Sequence, residues 1–250
     1  MLRRFRKSLV EANYGALALD SIVVVVGILI AFQIDRWGIE REERRQEHQY
    51  LLRLKEDLLF EIDLMNTSIE YADKRIGAVR FLEEVTADPE IASARPNEVV
   101  SALERVTWRS FPHISAFVYT ELQSTGRLSL VRSEEVRRSL AEYYSYLRFE
   151  SAVGLDLEVQ RAFSRETSGI LSTDELVSIE EGQRQAGPTA ISSDRALQIA
   201  REFSGRRDAI DVLPSIAQHH AFNKKIIAAG RDRAHQIVKL LDSLIADSES

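Results

Sequence analysis

The 250-residue chain has no cysteine. That excludes a disulfide scaffold, Cys-ligated zinc, an iron–sulfur cluster and thiol catalysis. It leaves the compartment open, because a Cys-free chain is stable on either side of a membrane. Only 5 Pro and 11 Gly are present, too few for a linker-like or collagen-like chain. An excess of positive charge is also lacking: 33 Lys and Arg stand against 39 Asp and Glu, for a net charge of −6. Such a balance gives no global attraction to nucleic acid. Phosphate-loop, dinucleotide-loop, zinc-protease, nucleophile-elbow and EF-hand patterns are missing too. These absences point away from an enzyme and imply no cofactor. What remains is a chain that is 44% hydrophobic, enough to build one large or two small domains.

One stretch stands apart from the rest, ALALDSIVVVVGILIAFQIDRW at residues 16–37. Its uninterrupted apolar centre runs from Ile22 to Phe32, and between Ala16 and Ile34 only Asp20, Ser21 and Gln33 are polar. At about 1.5 Å per helical residue this segment spans about 28 Å, close to the hydrocarbon thickness of a bilayer. Asp20 lies near one end, within reach of headgroups, and Trp37 at the other end suits an interfacial anchor. Four consecutive valines disfavour a buried helix of a soluble protein. A cleavable signal peptide needs small residues after the apolar run, yet the one A-x-A, Ala16-Leu17-Ala18, precedes it. The segment is therefore read as an uncleaved anchor with the lipid bilayer as its first partner.

Orientation follows from the flanks. Arg3, Arg4, Arg6 and Lys7 precede the span, and Arg36, Arg41, Arg44 and Arg45 follow it, so the cation counts tie. Acids break the tie: Glu11 stands alone before the span, while Glu40, Glu42, Glu43 and Glu47 neutralise the far flank. This favours a cytoplasmic N-terminus and an extracytoplasmic bulk. Within the span Asp20, Gly27 and Ala31 fall on one face, and Gly27-x-x-x-Ala31 is a small-xxx-small pair that lets helix backbones approach.

Five regions follow from these patterns: a basic segment 1–15, the transmembrane helix 16–37, a charged helical stalk 38–50, a helical bundle 51–246 and a tail 247–250 expected to fray. The stalk carries Glu40/Arg44 and Glu42/Arg45 at helical spacing, pairs that support a solvated helix. From Leu51 the apolar residues Leu54, Leu58, Ile62, Met65, Ile69, Ala72, Ile76, Val79 and Leu82 recur at three- and four-residue intervals. That predicts a long helix to about Val85 with a narrow seam. The seam needs a partner, and later helices of this chain are preferred over a second copy. Glu56, Asp57, Glu61, Asp63, Lys74 and Arg75 occupy other faces, with Glu61 and Asp63 read as a solvated one.

Further on, Asn97 is expected to cap a helix over 98–106, and Ser115 a helix ending at Thr125, with Gly126 as a left-handed stop. Arg127–Val131 alternates and reads as an extended link. Ser133 opens a helix expected to continue to about Thr167. Residues 181–193 read as loop. Short helices are expected at 194–203 and 206–213, and Pro214 fits the first turn of a last helix reaching Ala246. No run of strands is expected. The fold class is all-α, with an N-terminal transmembrane helix continuing into a long helix that packs in a bundle.

Two stretches are similar to a bacterial family of single-span, helix-rich membrane proteins of unknown function. The first is the span, where Asp20, Gly27, Gln33 and Trp37 match that family's pattern. The second is FPHISAFVYTELQSTGRLSLVRSEEVRRSLAEYY at 111–144, which resembles its Y-x-E-L-x-S-x-G-x-L-x-L segment and the short helix after it. Tyr119, Glu121, Leu122, Ser124, Gly126, Leu128, Leu130, Arg137, Leu140, Tyr143 and Tyr144 correspond. The resemblance implies an architecture and a bacterial inner-membrane address, and no activity.

At this corner two readings compete. In one, Arg137 offers a fork to an anionic ligand oriented by tyrosine hydroxyls. In the other, which is preferred, Glu121 pairs with Arg137 or caps a helix while the tyrosines pack in the core. His219 and His235 lie about 24 Å apart on one helix, too far to share a metal, and no metal site is assigned. The functional expectation is a membrane-anchored interaction or scaffold module, a homo-oligomer or the companion of another membrane protein. The alternative is an extracytoplasmic ligand-sensing bundle that acts through a partner.

Overall fold

The apolar run, the stalk and the heptad-like seam contain no Pro and only two Gly after Ala31, so nothing in them stops a helix once it has started. In the computed structural model they form one uninterrupted helix, α1 (Leu2–Ala87), of 86 residues and about 130 Å. The structure describes residues 2–108, 111–147, 150–177 and 191–249, with side chains over 21–108, 111–147, 157–177 and 191–248. The side chain of Asp20 and most of the 181–193 loop therefore lie outside the described residues.

The upper part of α1 stands clear of the bundle. Its most apolar 18-residue window has mean hydropathy 1.9, and none of it is buried. By length and composition this helix can cross a membrane. Ile22, Phe32, Ile34 and Trp37 are all exposed.

From Tyr50 the helix enters the bundle. After α1 come α2 (Ile91–Ala94), α3 (Pro96–Arg105), α4 (Phe117–Ser124), a 3-10 turn (Leu128–Leu130), α5 (Glu134–Tyr146) and α6 (Glu150–Glu166). The chain closes with α7 (Ser193–Ser204), α8 (Arg207–Asp211) and α9 (Leu213–Glu249). No strand occurs among the described residues. The seam of α1 is covered chiefly by α9, which runs antiparallel to it. His48 meets Ser248 at 2.8 Å, Lys55 meets Asp242 at 2.7 Å and Lys224 meets Asp73 at 2.6 Å, in opposite chain order. The partner of the seam is thus a later helix of the same chain.

Two cores lie along this pair. The nearer to the apolar segment joins Leu51, Leu54, Leu58, Ile62 and Met65 to Leu122, Val136, Leu140, Tyr143 and the α9 residues Ile227, Ile237 and Leu241. The distal one joins Val79, Leu82 and Val85 to α3, Phe163, Phe203 and Leu213. Each fully buried Leu or Phe contributes about 1.5–3 kcal/mol. A polar layer separates the cores. Arg75, Asn223 and His220 are at most 1% exposed there, and Gln160 of α6 donates to the Trp108 carbonyl at 2.9 Å.

Several local expectations need correction. Glu61 is buried rather than solvated, and Arg75, off the apolar seam, is buried too. Residues 128–130 form a 3-10 turn, not an extended link, because Val131 is fully buried and Leu128 and Leu130 pack on the near core. The helix expected over 134–167 is two helices, since Leu147 leaves the α conformation at φ −77°, ψ 7°. Asn97 caps nothing: Pro96 opens α3, and the Asn97 amide oxygen accepts from the Ile191 N–H. Phe222, an apolar residue of the last helix, is exposed rather than packed in the core. The last helix runs through Glu249 rather than stopping at Ala246, with Ser248 tied to His48.

Candidate functional site

The matched corner at Tyr119–Tyr144 assembles against one turn of α1. Leu58 and Ile62 point into the core, and Asp57 and Glu61, each one residue before them, flank that face. Ser115 does not start α4. Ala116 takes the left-handed conformation at φ 48°, ψ 40°, a backbone costing about 1–2 kcal/mol for a residue with a Cβ. Asp57 supplies the cap instead, accepting the Val118 N–H at 2.9 Å. The cap thus comes from another helix, which pins α4 onto α1.

One turn further along, Glu61 is only 3% exposed. Its two carboxyl oxygens accept from the Tyr143 hydroxyl at 2.8 Å and the Tyr144 hydroxyl at 3.2 Å. The Ala116 backbone N–H also faces it. Tyr119 stacks on Tyr144 with ring centroids 4.6 Å apart, and Tyr143 meets Tyr144 edge-on at 4.8 Å. Three tyrosines, a strained loop and α1 therefore converge on one carboxyl.

Electrostatics gives that carboxyl its character. Burial is the largest influence and pushes its pKa up, and the Asp57 carboxylate pushes the same way. The two hydroxyls and the Ala116 amide oppose this by bonding the charged form. Burial wins, and Glu61 titrates at about 7 instead of 4.5. Burial and the neighbouring Glu61 drive both Tyr143 and Tyr144 upward, so these hydroxyls remain donors. The carboxyl therefore changes charge near neutrality while it stays buried between α1 and α5.

The other expected residues have different duties. Glu121 does not pair with Arg137. It accepts from Arg53 at 2.6 Å and from the Tyr50 hydroxyl at 2.9 Å, and Arg53 above all holds its carboxyl below the ordinary value. The Arg137 guanidinium donates to the Val131 and Arg132 carbonyls, closing the end of the 3-10 turn. Leu122 is fully buried. Gly126 has φ 68° and ends α4 in a Schellman arrangement, with Arg127 N–H on the Leu122 carbonyl at 2.9 Å. Gly27, Ala31 and Trp37 stay on the exposed part of α1, far from this corner.

Sequence reasoning missed Glu61. A signal existed: adjacent tyrosines on an amphipathic helix carry hydroxyls into a core, and such hydroxyls need an acceptor. The acceptor lies 82 residues away from Tyr143, where no local pattern points to it. Arg75 and His220 were missed for the same reason. Burial above all, then the nearby Arg75 guanidinium, depresses His220 to about 3, against the opposing Val106 carbonyl.

No protein-family model, curated protein or solved structure matches this chain.

Proposed function

We propose that this chain is a membrane-anchored helical interaction or scaffold module that works as an oligomer or beside another membrane protein. The observation that carries this reading is the continuity of α1. One unbroken helix bears the exposed apolar segment at one end and forms part of both cores at the other. A rigid rod of this kind transmits the position and rotation of its apolar end directly into the bundle, with no hinge to absorb either. The open face at Gly27 and Ala31 supports assembly within the bilayer, since a Cβ added at Gly27 meets nothing within 4 Å.

The address we propose is the bacterial inner membrane, N-terminus cytoplasmic and bundle outside. The basic residues Arg3, Arg4, Arg6 and Lys7 support that orientation. Reporter fusions at residues 15 and 250 test it, and a cytoplasmic signal from residue 250 would reverse it. Assembly is tested on the full chain in detergent by light scattering coupled to gel filtration, with crosslinking in membranes beforehand. A species larger than one chain, or a crosslinked partner, is expected. A clean monomer with nothing crosslinked would remove the scaffold reading.

A further inference from the structure

One side of α1 is left bare by the bundle. Leu51, Leu54, Leu58 and Met65 are buried in the near core. Leu52 and Leu59, each one residue after a buried leucine, are instead 39% and 44% exposed. Turned at about 100° per residue along the unbroken helix, Gly27, Ala31, Gly38, Leu52 and Leu59 stay within about 40° of one line. The four buried residues lie about 120–180° away from it. The small-residue face of the apolar segment therefore leads into an exposed leucine stripe, on the side of α1 that the bundle does not cover. A Cβ added at Gly27 or Gly38 meets nothing within 4 Å.

This line carries a strict seven-residue repeat: Ala31, Gly38, Arg45, Leu52 and Leu59. Such a repeat keeps two helices in contact through a left-handed supercoil. Small residues let the backbones approach in lipid, and the leucines bury apolar surface above it. Arg45, the one charged member, is neutralised by Glu42 of its own chain at 2.7 Å. The flanks match as well. Arg41 and Lys55 lie on one side of the line, Glu42 and Glu56 on the other, each acid one residue after a cation. Lys55 also holds Asp242 of α9 at 2.7 Å, whereas among the described residues Arg41 has no ion pair and lies over the Trp37 ring. The stripe ends at Leu59, because the residues that would extend it are already engaged. Ile62 belongs to the near core, and Asn66 accepts from Arg231 of α9.

The anchor selects the occupant. A second copy held in the same bilayer is parallel and at the same height, so a two-fold axis along the rods sets each stripe residue against itself. The same axis sets the cation flank of one copy against the acid flank of the other, at heights about 1.5 Å apart. Both bundles then lie on the outside, clear of each other. We propose, on the oligomeric reading given above, that the chain forms a parallel two-fold dimer along the bare side of α1. The contact runs from Gly27 in the apolar segment to Leu59 in the bundle.

The lack of cysteine makes the test direct. Single-cysteine variants of the full chain are oxidised in membrane vesicles and followed on non-reducing gels. A disulfide needs Cα atoms within about 7 Å. Leu52→Cys and Leu59→Cys should therefore dimerise about tenfold faster or more than Glu40→Cys and Glu142→Cys, which are exposed but off the line. In the Leu52→Cys chain, Arg41→Glu should slow dimer formation about threefold or more by setting acid against acid, and adding Glu42→Arg should restore it. These positions are all exposed, so the circular dichroism of each variant should match the parent's. Equal rates at the four cysteines, or the fastest rate at Glu40→Cys, would overturn this interface and leave the scaffold reading standing. An unchanged rate with Arg41→Glu would overturn the two-fold pairing of the flanks. A different protein joined to Leu52→Cys, with no dimer, would assign the bare side to that partner and overturn the second copy. A monomer by light scattering, with nothing joined at any position, would remove both this proposal and the scaffold reading.

Discussion

Replacing Glu61 by Gln should stabilise the bundle at neutral and alkaline pH and do little in acid. Raising a carboxyl from 4.5 to about 7 makes the folded state prefer the protonated form. The associated stability is fully present below 4.5 and is lost as pH rises through 7. The difference amounts to about 3 kcal/mol, undiminished by solvent because the side chain is only 3% exposed. Gln keeps an acceptor for the Tyr143 hydroxyl and carries no charge to desolvate. Urea unfolding of the full chain in micelles, followed by circular dichroism between about pH 4.5 and 8, gives the comparison. Other carboxyls titrate in both proteins, so the informative quantity is the difference between them. It should grow by about 3 kcal/mol across that range in favour of the variant. A flat difference, or a variant less stable at every pH, would refute the argument that burial outweighs the two tyrosine bonds.

The opposite dependence is expected at His220, whose folded pKa is lowered from 6.5 to about 3. Its contribution is full above 6.5 and lost as pH falls toward 3, about 3 kcal/mol near pH 4. His220→Gln should resist acid better than the parent in the same urea assay, and equal acid sensitivity would contradict this. Gly230 marks a close approach, since an added Cβ would lie 3.0 Å from Leu147 Cδ2 and 3.5 Å from Met65 Sδ. Gly230→Val should cost about 1–3 kcal/mol, read from the urea midpoint, and Leu147→Ala in the same chain should restore part of it. At Gly126, φ is 68° but space is open, so Gly126→Ala should cost about 1 kcal/mol from backbone strain alone; a thermal midpoint equal to the parent's would contradict this.

What could be read from the sequence was what repeats or punctuates. The Leu51–Leu82 seam stood out because burial against one neighbour imposes three- and four-residue spacing. Ser133 and Gly126 were legible because a helix end leaves backbone groups that only a few side chains and conformations satisfy, and the structure uses both. Asp57 as a cap for α4 was not legible, because the cap crosses 61 residues and displaces the nearer candidate, Ser115. The break after Tyr146 was hidden because residues on both sides favour helix. Glu61 was assigned to solvent by residue type, a sound rule that fails where a tertiary partner is supplied from far along the chain.

The polar layer shows why such exceptions are tolerated. α1 and α9 are long helices with similar apolar seams, and two such seams pair almost equally well after slipping by a heptad. Seven residues either way along α9 from the buried His220 and Asn223 lie Leu213, Ile216, Ile227 and Gly230, the first three buried and apolar. A slipped pairing would set the Arg75 guanidinium against those side chains. Burying a cation against hydrocarbon costs several kcal/mol even after relaxation, more than one lost Leu contact. The layer therefore penalises the wrong registers through Arg75, although the right one leaves the buried Asn223 amide without a partner among the described residues. Because the same α1 continues into the apolar segment, fixing its register against α9 also fixes the height and rotation at which the bundle is held from that segment.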